Sequence, residues 1–118
     1  LENGDMQEEK LGTIRIAPSV LAMIVSLTAS AVKGVATMSP VSRPPSKVLH
    51  RPNTGNATGV SLHVRNGTIL ADVYIVAEPD TNLQKLGHTV QERVREALNQ
   101  MVDISAEQVN VYIEDVSE

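Results

Sequence analysis

The sequence predicts an α+β two-layer sandwich, with two helices covering one face of a mainly antiparallel four-stranded sheet. Three observations carry this: two apolar/polar alternations that meet at an Asn-Gly pair, a strongly amphipathic helical stretch later in the chain, and an order of periodic segments that runs β-α-β-β-α-β. The 118 residues suffice for one domain, and 42% hydrophobic with 20% charged residues is the balance of a chain that buries a core.

Leu1–Lys10 is polar and carries Glu2, Asp5, Glu8 and Glu9, unlike the basic and then apolar start of a secretory signal. It is expected to be a disordered N-terminal segment whose first five residues, ahead of Met6, are extraneous, and the domain proper is expected over 11–118. Thr13–Ala17 alternates, Ile14 and Ile16 against Thr13 and Arg15, and predicts a first strand. Pro18 suits a first helical turn, and Ser19–Lys33 then continues as an apolar helix that Gly34 stops. Val20, Leu21, Ile24, Leu27 and Ala31 are its expected core stripe. The run is too short to span a membrane, which takes about 20 residues.

Prolines 40, 44, 45 and 52 and the cluster Asn53-Thr-Gly-Asn56 predict a long Pro-rich loop over 34–58. Val60, Leu62 and Val64 alternate before Asn66-Gly67, and Ile69, Ala71, Val73 and Ile75 after it. A two-residue type I′ turn there pairs Arg65 with Thr68, Leu62 with Ala71 and Val60 with Val73, which sets every apolar partner on one face. Pro79 ends the second strand, and Thr81 with Gln84 predicts a capping box for the second helix. Leu83, Leu86, Val90, Val94, Ala97, Leu98 and Met101 form that helix's apolar stripe. A last strand is expected over 108–114, with Val109, Val111 and Ile113 inward.

Composition then narrows the chemistry. Without cysteine there are no disulfides, thiolate metal sites or cysteine nucleophiles, and two Tyr with no Phe or Trp leave no platform for stacking bases. His88 and Glu92 lie four apart on the second helix but lack a third ligand, and no nucleophile elbow, phosphate loop or enforced carboxylate pair is present. No catalytic residue, metal ligand or cofactor is assigned. A net charge of −4 argues against nucleic acid as a partner.

Three surfaces remain as candidates for binding. The back of the first helix is small and almost uncharged, so Ala22, Ser26 and Ser30 are expected to form a seam for close helix approach. The open sheet face is expected to present Arg15, His63, Tyr74 and Tyr112 to a partner. No Asp or Glu occurs between Glu9 and Asp72, and Arg43, Lys47 and Arg51 in the Pro-rich loop are expected to touch an anionic surface.

Leu11-Gly-Thr-Ile-Arg-Ile16, Gly34-Val-Ala-Thr-Met38, Gly59-Val60, Val90-Gln-Glu-Arg-Val94 and Val109-Asn-Val111, in this order, resemble the bacterial alkaline shock protein family over about residues 11–116. The resemblance implies a small non-enzymatic protein of the cell envelope or stress response. Some members self-assemble and are held at the membrane by a separate membrane-spanning partner. The expectation is therefore a non-catalytic interaction protein, cytoplasmic and membrane-associated through a partner. It would be a homo-oligomer or would dock on a membrane-anchored protein, without inserting into the membrane itself. The competing expectation is a small ligand-binding or accessory regulatory domain of metabolism, because a two-layer α/β fold serves many tasks.

Overall fold

The computed structural model describes residues 11–40, 54–102 and 106–118. Within them lie helices α1 (Pro18–Ser30) and α2 (Leu83–Met101) and strands β1 (Val35–Met38), β2 (Thr54–Ala57), β3 (Val60–Arg65), β4 (Thr68–Ala77) and β5 (Ala106–Val116). The class is α+β, as the sequence predicts, but the sheet has five strands among the described residues and the order starts on a helix.

The β3–β4 hairpin forms in the expected register, with Val60 opposite Val73, Leu62 opposite Ala71, His63 opposite Leu70 and Arg65 opposite Thr68. Asn66 and Gly67 take positive φ (51° and 75°), the backbone a type I′ turn needs. β4 is the hub of the sheet. One of its edges is shared, β3 pairing with Thr68–Val73 and β1 with Ile75–Ala77, both antiparallel. At the junction the Tyr74 N–H donates to the Gly59 carbonyl (2.8 Å), and the Tyr74 carbonyl accepts from the Ser39 N–H (2.9 Å). The other edge takes β5 in parallel over its whole length, and β2 extends the sheet beyond β3.

This arrangement overturns the expectation of a strand at Thr13–Ala17. The place beside β4 is filled by Val35–Met38, which the Pro-rich loop was expected to contain. β1 follows α1 directly, through the turn at 31–34. Residues 12–17 lie outside any ladder, and Ile14 is 93% exposed. Thr54–Ala57, also within 34–58, forms β2. The remainder of that stretch beyond Pro40, and Leu1–Lys10, lie outside the described residues.

Both helices pack on the same face, α1 over β2 and β3 and α2 over β5. The core is aliphatic: Leu62, Ile69, Val73 and Ile75 from the sheet meet Val25 from α1 and Val90, Val94 and Leu98 from α2. On α2 the expected stripe holds at Leu86, Val90, Val94 and Leu98, while Leu83 is exposed. Its cap is one residue later than expected: Asn82, not Thr81, accepts the Lys85 N–H at 3.0 Å.

α1 is turned away from the expected stripe. It buries Leu21, Ala22, Val25, Ser26 and Ala29 and exposes Val20, Met23 and Leu27. The reason lies in β2. A Cβ at Gly55 would overlap the Pro18 carbonyl, so the helix lies almost on the strand's backbone. The face turned to the sheet is accordingly mostly small, Ala22, Ser26 and Ala29, with Leu21 and Val25 entering the core beside them, while Val20, Met23 and Leu27 turn outward.

Candidate interaction surfaces

On β4, odd-numbered positions from Ile69 to Ala77 enter the core, so Leu70, Asp72, Tyr74 and Val76 project from the opposite face, each half-buried. Register adds Ser61 and His63 from β3, Thr54 and Asn56 from β2, and Gln108, Asn110 and Tyr112 from β5. No described element lies over this face. Its centre is built around Asp72, whose Oδ1 accepts from Asn110 Nδ2 (3.0 Å) and from the Tyr112 hydroxyl (3.4 Å). Tyr112 stacks on Tyr74 with ring centroids 4.7 Å apart and planes 16° from parallel. Because Tyr74 and Tyr112 are register partners in a parallel pair, their rings leave the sheet at the same level. His63, opposite Leu70, sits one row from Asp72 and two from the tyrosines, with Nδ1 3.4 Å from Thr54 Oγ1.

Electrostatics follow from that geometry. Burial, then the Asp72 charge and lesser contributions from Tyr112 and Glu114, holds the Tyr74 phenol above its usual value. For Tyr112 the Asp72 charge comes first, followed by desolvation and the hydrogen bond to the same carboxylate. Both phenols therefore stay neutral donors through the physiological range.

Three of the four residues expected on this face are on it: His63, Tyr74 and Tyr112. Arg15 is not, because its segment forms no strand, and it is exposed ahead of α1. Asp72 and Asn110, which organise the face, were missed. The signal available was the parity of Asp72 with Tyr74 on an alternating strand.

Of the expected helix seam, Ala22 and Ser26 are buried within the chain, and Ser26 Oγ donates to the Thr58 carbonyl at 2.6 Å. Ser30 is exposed and bonds the Leu27 carbonyl of its own helix (2.9 Å). Small residues at spacing four do permit close approach, and what they approach is the chain's own sheet. The outer side instead carries a ridge of Val20, Met23 and Leu27, preceded by exposed Leu11 and Ile14. A helix apolar all round gives periodicity no face to choose, which is why this ridge was not found from sequence. Arg43, Lys47 and Arg51 lie outside the described residues.

His88 and Glu92 stand exposed on α2 and line a shallow hollow of about 410 Å³ with Asn82, Gln84, Lys85 and Thr89. Among the described residues no three His, Cys, Asp or Glu side chains group as metal ligands, and no helix is long and apolar enough to cross a membrane.

The chain is 31% identical over 110 residues to YqhY of Bacillus subtilis (strain 168), covering 92% of this chain and 80% of YqhY. It is 26% identical over 110 residues to YloU of the same strain, covering 91% of this chain and 90% of YloU. Among solved structures, a doubly substituted MamM CTD superposes with a TM-score of 0.51 at 14% identity, covering 84% of this chain and 94% of that one, a likeness of fold. The profile of the alkaline shock protein 23 family, described as having a cell envelope-related function, matches residues 6–118. The chain belongs to that family.

Proposed function

We propose that this protein is a non-catalytic interaction protein of the cell envelope that self-associates through the open face of its sheet, working from the cytoplasmic side of the membrane. The observation that carries this reading is the half-exposed platform of Tyr74, Tyr112, Leu70 and Val76 on an otherwise polar sheet surface. Tyrosines with an apolar body and a satisfied hydroxyl are enriched where protein surfaces meet, because they bury area at low entropic cost. A two-fold axis through such a face would stack two sheets about 10 Å apart, each contributing the same patch. Asp72, with its acceptor engaged by Asn110 and Tyr112, is placed to hold the platform rather than to transfer protons. The family description, cell envelope-related function, favours a second occupant for the same face, a membrane-anchored protein.

Sedimentation velocity over a wide concentration range tests the first reading. The unsubstituted chain is expected to show concentration-dependent species that Tyr112→Asp shifts to monomer while its circular dichroism is unchanged. A strict monomer at all concentrations overturns self-association and leaves the anchored partner, which the same substitution should then release in a pull-down. Assembly indifferent to Tyr112→Asp places the interface elsewhere.

A further inference from the structure

We infer that two copies of this chain meet on the open sheet face end for end, the Arg65 guanidinium of each set against Asp72, Tyr74 and Glu114 of the other. The inference rests on the proposed self-association and adds its orientation and its charged contacts. The face is electrically polar along its strands. Its hairpin end carries Arg65 and His63 beside Thr68, Leu70 and Gln108, and no acid among the described residues. Toward the other end stand Asp72 and, where β5 bulges opposite Val76, Glu114 and Asp115, with no cation among them. The charges of Asp72 and Glu114 both reach the Tyr74 hydroxyl. Lys33 and Lys85 line a hollow on the helix side of the sheet instead. Glu107, the remaining acid of β5, is turned toward α2, where Arg95 lies 3.8 Å from it.

Distance makes the two ends act between copies and not within one. Arg65 faces Thr68, and at about 3.3 Å per residue the Tyr74 row lies about 20 Å further along β4, beyond the reach of an arginine side chain. Neither Arg65 nor Glu114 makes a hydrogen bond or ion pair among the described residues. Two aligned sheets related by a two-fold axis stack face to face in one of two ways. An axis along the strands sets each row over the same row of the partner, Asp72 against Asp72 and acidic bulge beside acidic bulge. An axis across the strands reverses the rows, so the basic end of each sheet covers the acidic end of the other, twice per dimer. Juxtaposed like charges oppose the first arrangement, and complementary ones steer encounter toward the second. The tyrosines add to the choice, since a guanidinium is held by the face of a phenol ring as well as by a carboxylate. Asp72 has an oxygen for it: both described donors, Asn110 and Tyr112, use Oδ1, which leaves Oδ2 for an N–H of the second copy.

Charge-swapped chains test the orientation, with sedimentation velocity to read affinity and native mass spectrometry to read which copies pair. Arg65→Glu and Glu114→Arg should each weaken the dimer by at least about tenfold, because a reversal sets like charges together at both symmetric contacts. Arg65→Glu/Glu114→Arg in one chain should recover most of the affinity. The two single variants, mixed in equal amounts, should pair with each other in preference to themselves. Raising salt from about 50 to about 500 mM should weaken the unsubstituted dimer and leave the Arg65→Gln/Glu114→Gln chain nearly indifferent. Both side chains are exposed, so thermal unfolding should show every variant folded. A dimer that Tyr112→Asp dissolves but both reversals leave unchanged keeps self-association through this face and overturns its orientation. Single variants that fail to pair on mixing overturn it too, as does a dimer strengthened by Arg65→Gln, the mark of like ends stacked together. A chain that is monomeric at every concentration overturns the proposed self-association, and this inference with it.

Discussion

Gln91 of α2 donates its side-chain amide to the main-chain carbonyl of Val109 in β5 at 3.0 Å. β5 has β4 on one side and no described strand on the other, so a helix side chain here serves a strand backbone. The pattern Val90-Gln-Glu-Arg-Val94 acquires a physical meaning: Val90 and Val94 are buried, and the glutamine between them fastens the helix to the strand it covers. Gln91→Ala should cost about 1 kcal/mol, the net worth of one such bond, and more if the carbonyl is left dry. Urea denaturation reads this as a lower midpoint at unchanged slope.

The orientation of α1 predicts unequal responses along one helix. Ala22→Leu forces extra volume between helix and sheet and should cost about 1–3 kcal/mol. Gly55→Ala, directed at the Pro18 carbonyl, should cost a similar amount. Leu27→Ala, on the exposed ridge, should stay within about 0.5 kcal/mol. If Leu27→Ala proved the most damaging of the three, α1 would face the other way.

At the start of α2 the two candidate caps are adjacent. Asn82→Ala removes the acceptor for the Lys85 N–H and should destabilise by about 1 kcal/mol. Thr81→Ala should cost less, because Thr81 makes no capping bond. Thermal melts of the two variants side by side decide between them.

Alkaline pH probes the tyrosine pair. Both phenols are raised above the usual 10.0 in the folded chain, so the folded state holds these protons more tightly than the unfolded state. Their contribution to stability is fully present below 10.0 and is lost as pH rises through the folded values. Denaturant midpoints at about pH 9 and about pH 11 should therefore fall on going up, and Tyr112→Phe should lessen the fall. An equal fall in both proteins would mean that Asp72 does not act on this hydroxyl.

Local pattern and tertiary structure divide the fold between them. The hairpin was legible to the residue pair because the Asn-Gly turn and a two-residue side-chain period leave one consistent register. α2 was legible because its apolar positions form a single stripe. Ile14 and Ile16 show the limit: two alternating residues suggest a strand, but the place beside β4 goes to Val35–Met38 and residues 12–17 join no ladder. Val35–Met38 is short and its alternation is irregular, so only its pairing reveals it. On the sheet face, His63, Tyr74 and Tyr112 could be placed by parity, whereas the Asp72–Asn110 bond joins residues 38 positions apart and depends on a parallel crossover that periodicity does not register. The ridge on α1 escaped for the opposite reason, since its orientation was decided by a glycine on another element.

One strand that lends a single edge to two others and its second edge to a third concentrates cooperativity. Opening the amides of β4 requires breaking with β1, β3 and β5 together, which is close to unfolding the whole domain. Hydrogen exchange should therefore be slowest between Ile69 and Ile75. β2 is paired as a strand with β3 alone, so its amides can open without breaking a ladder of β4.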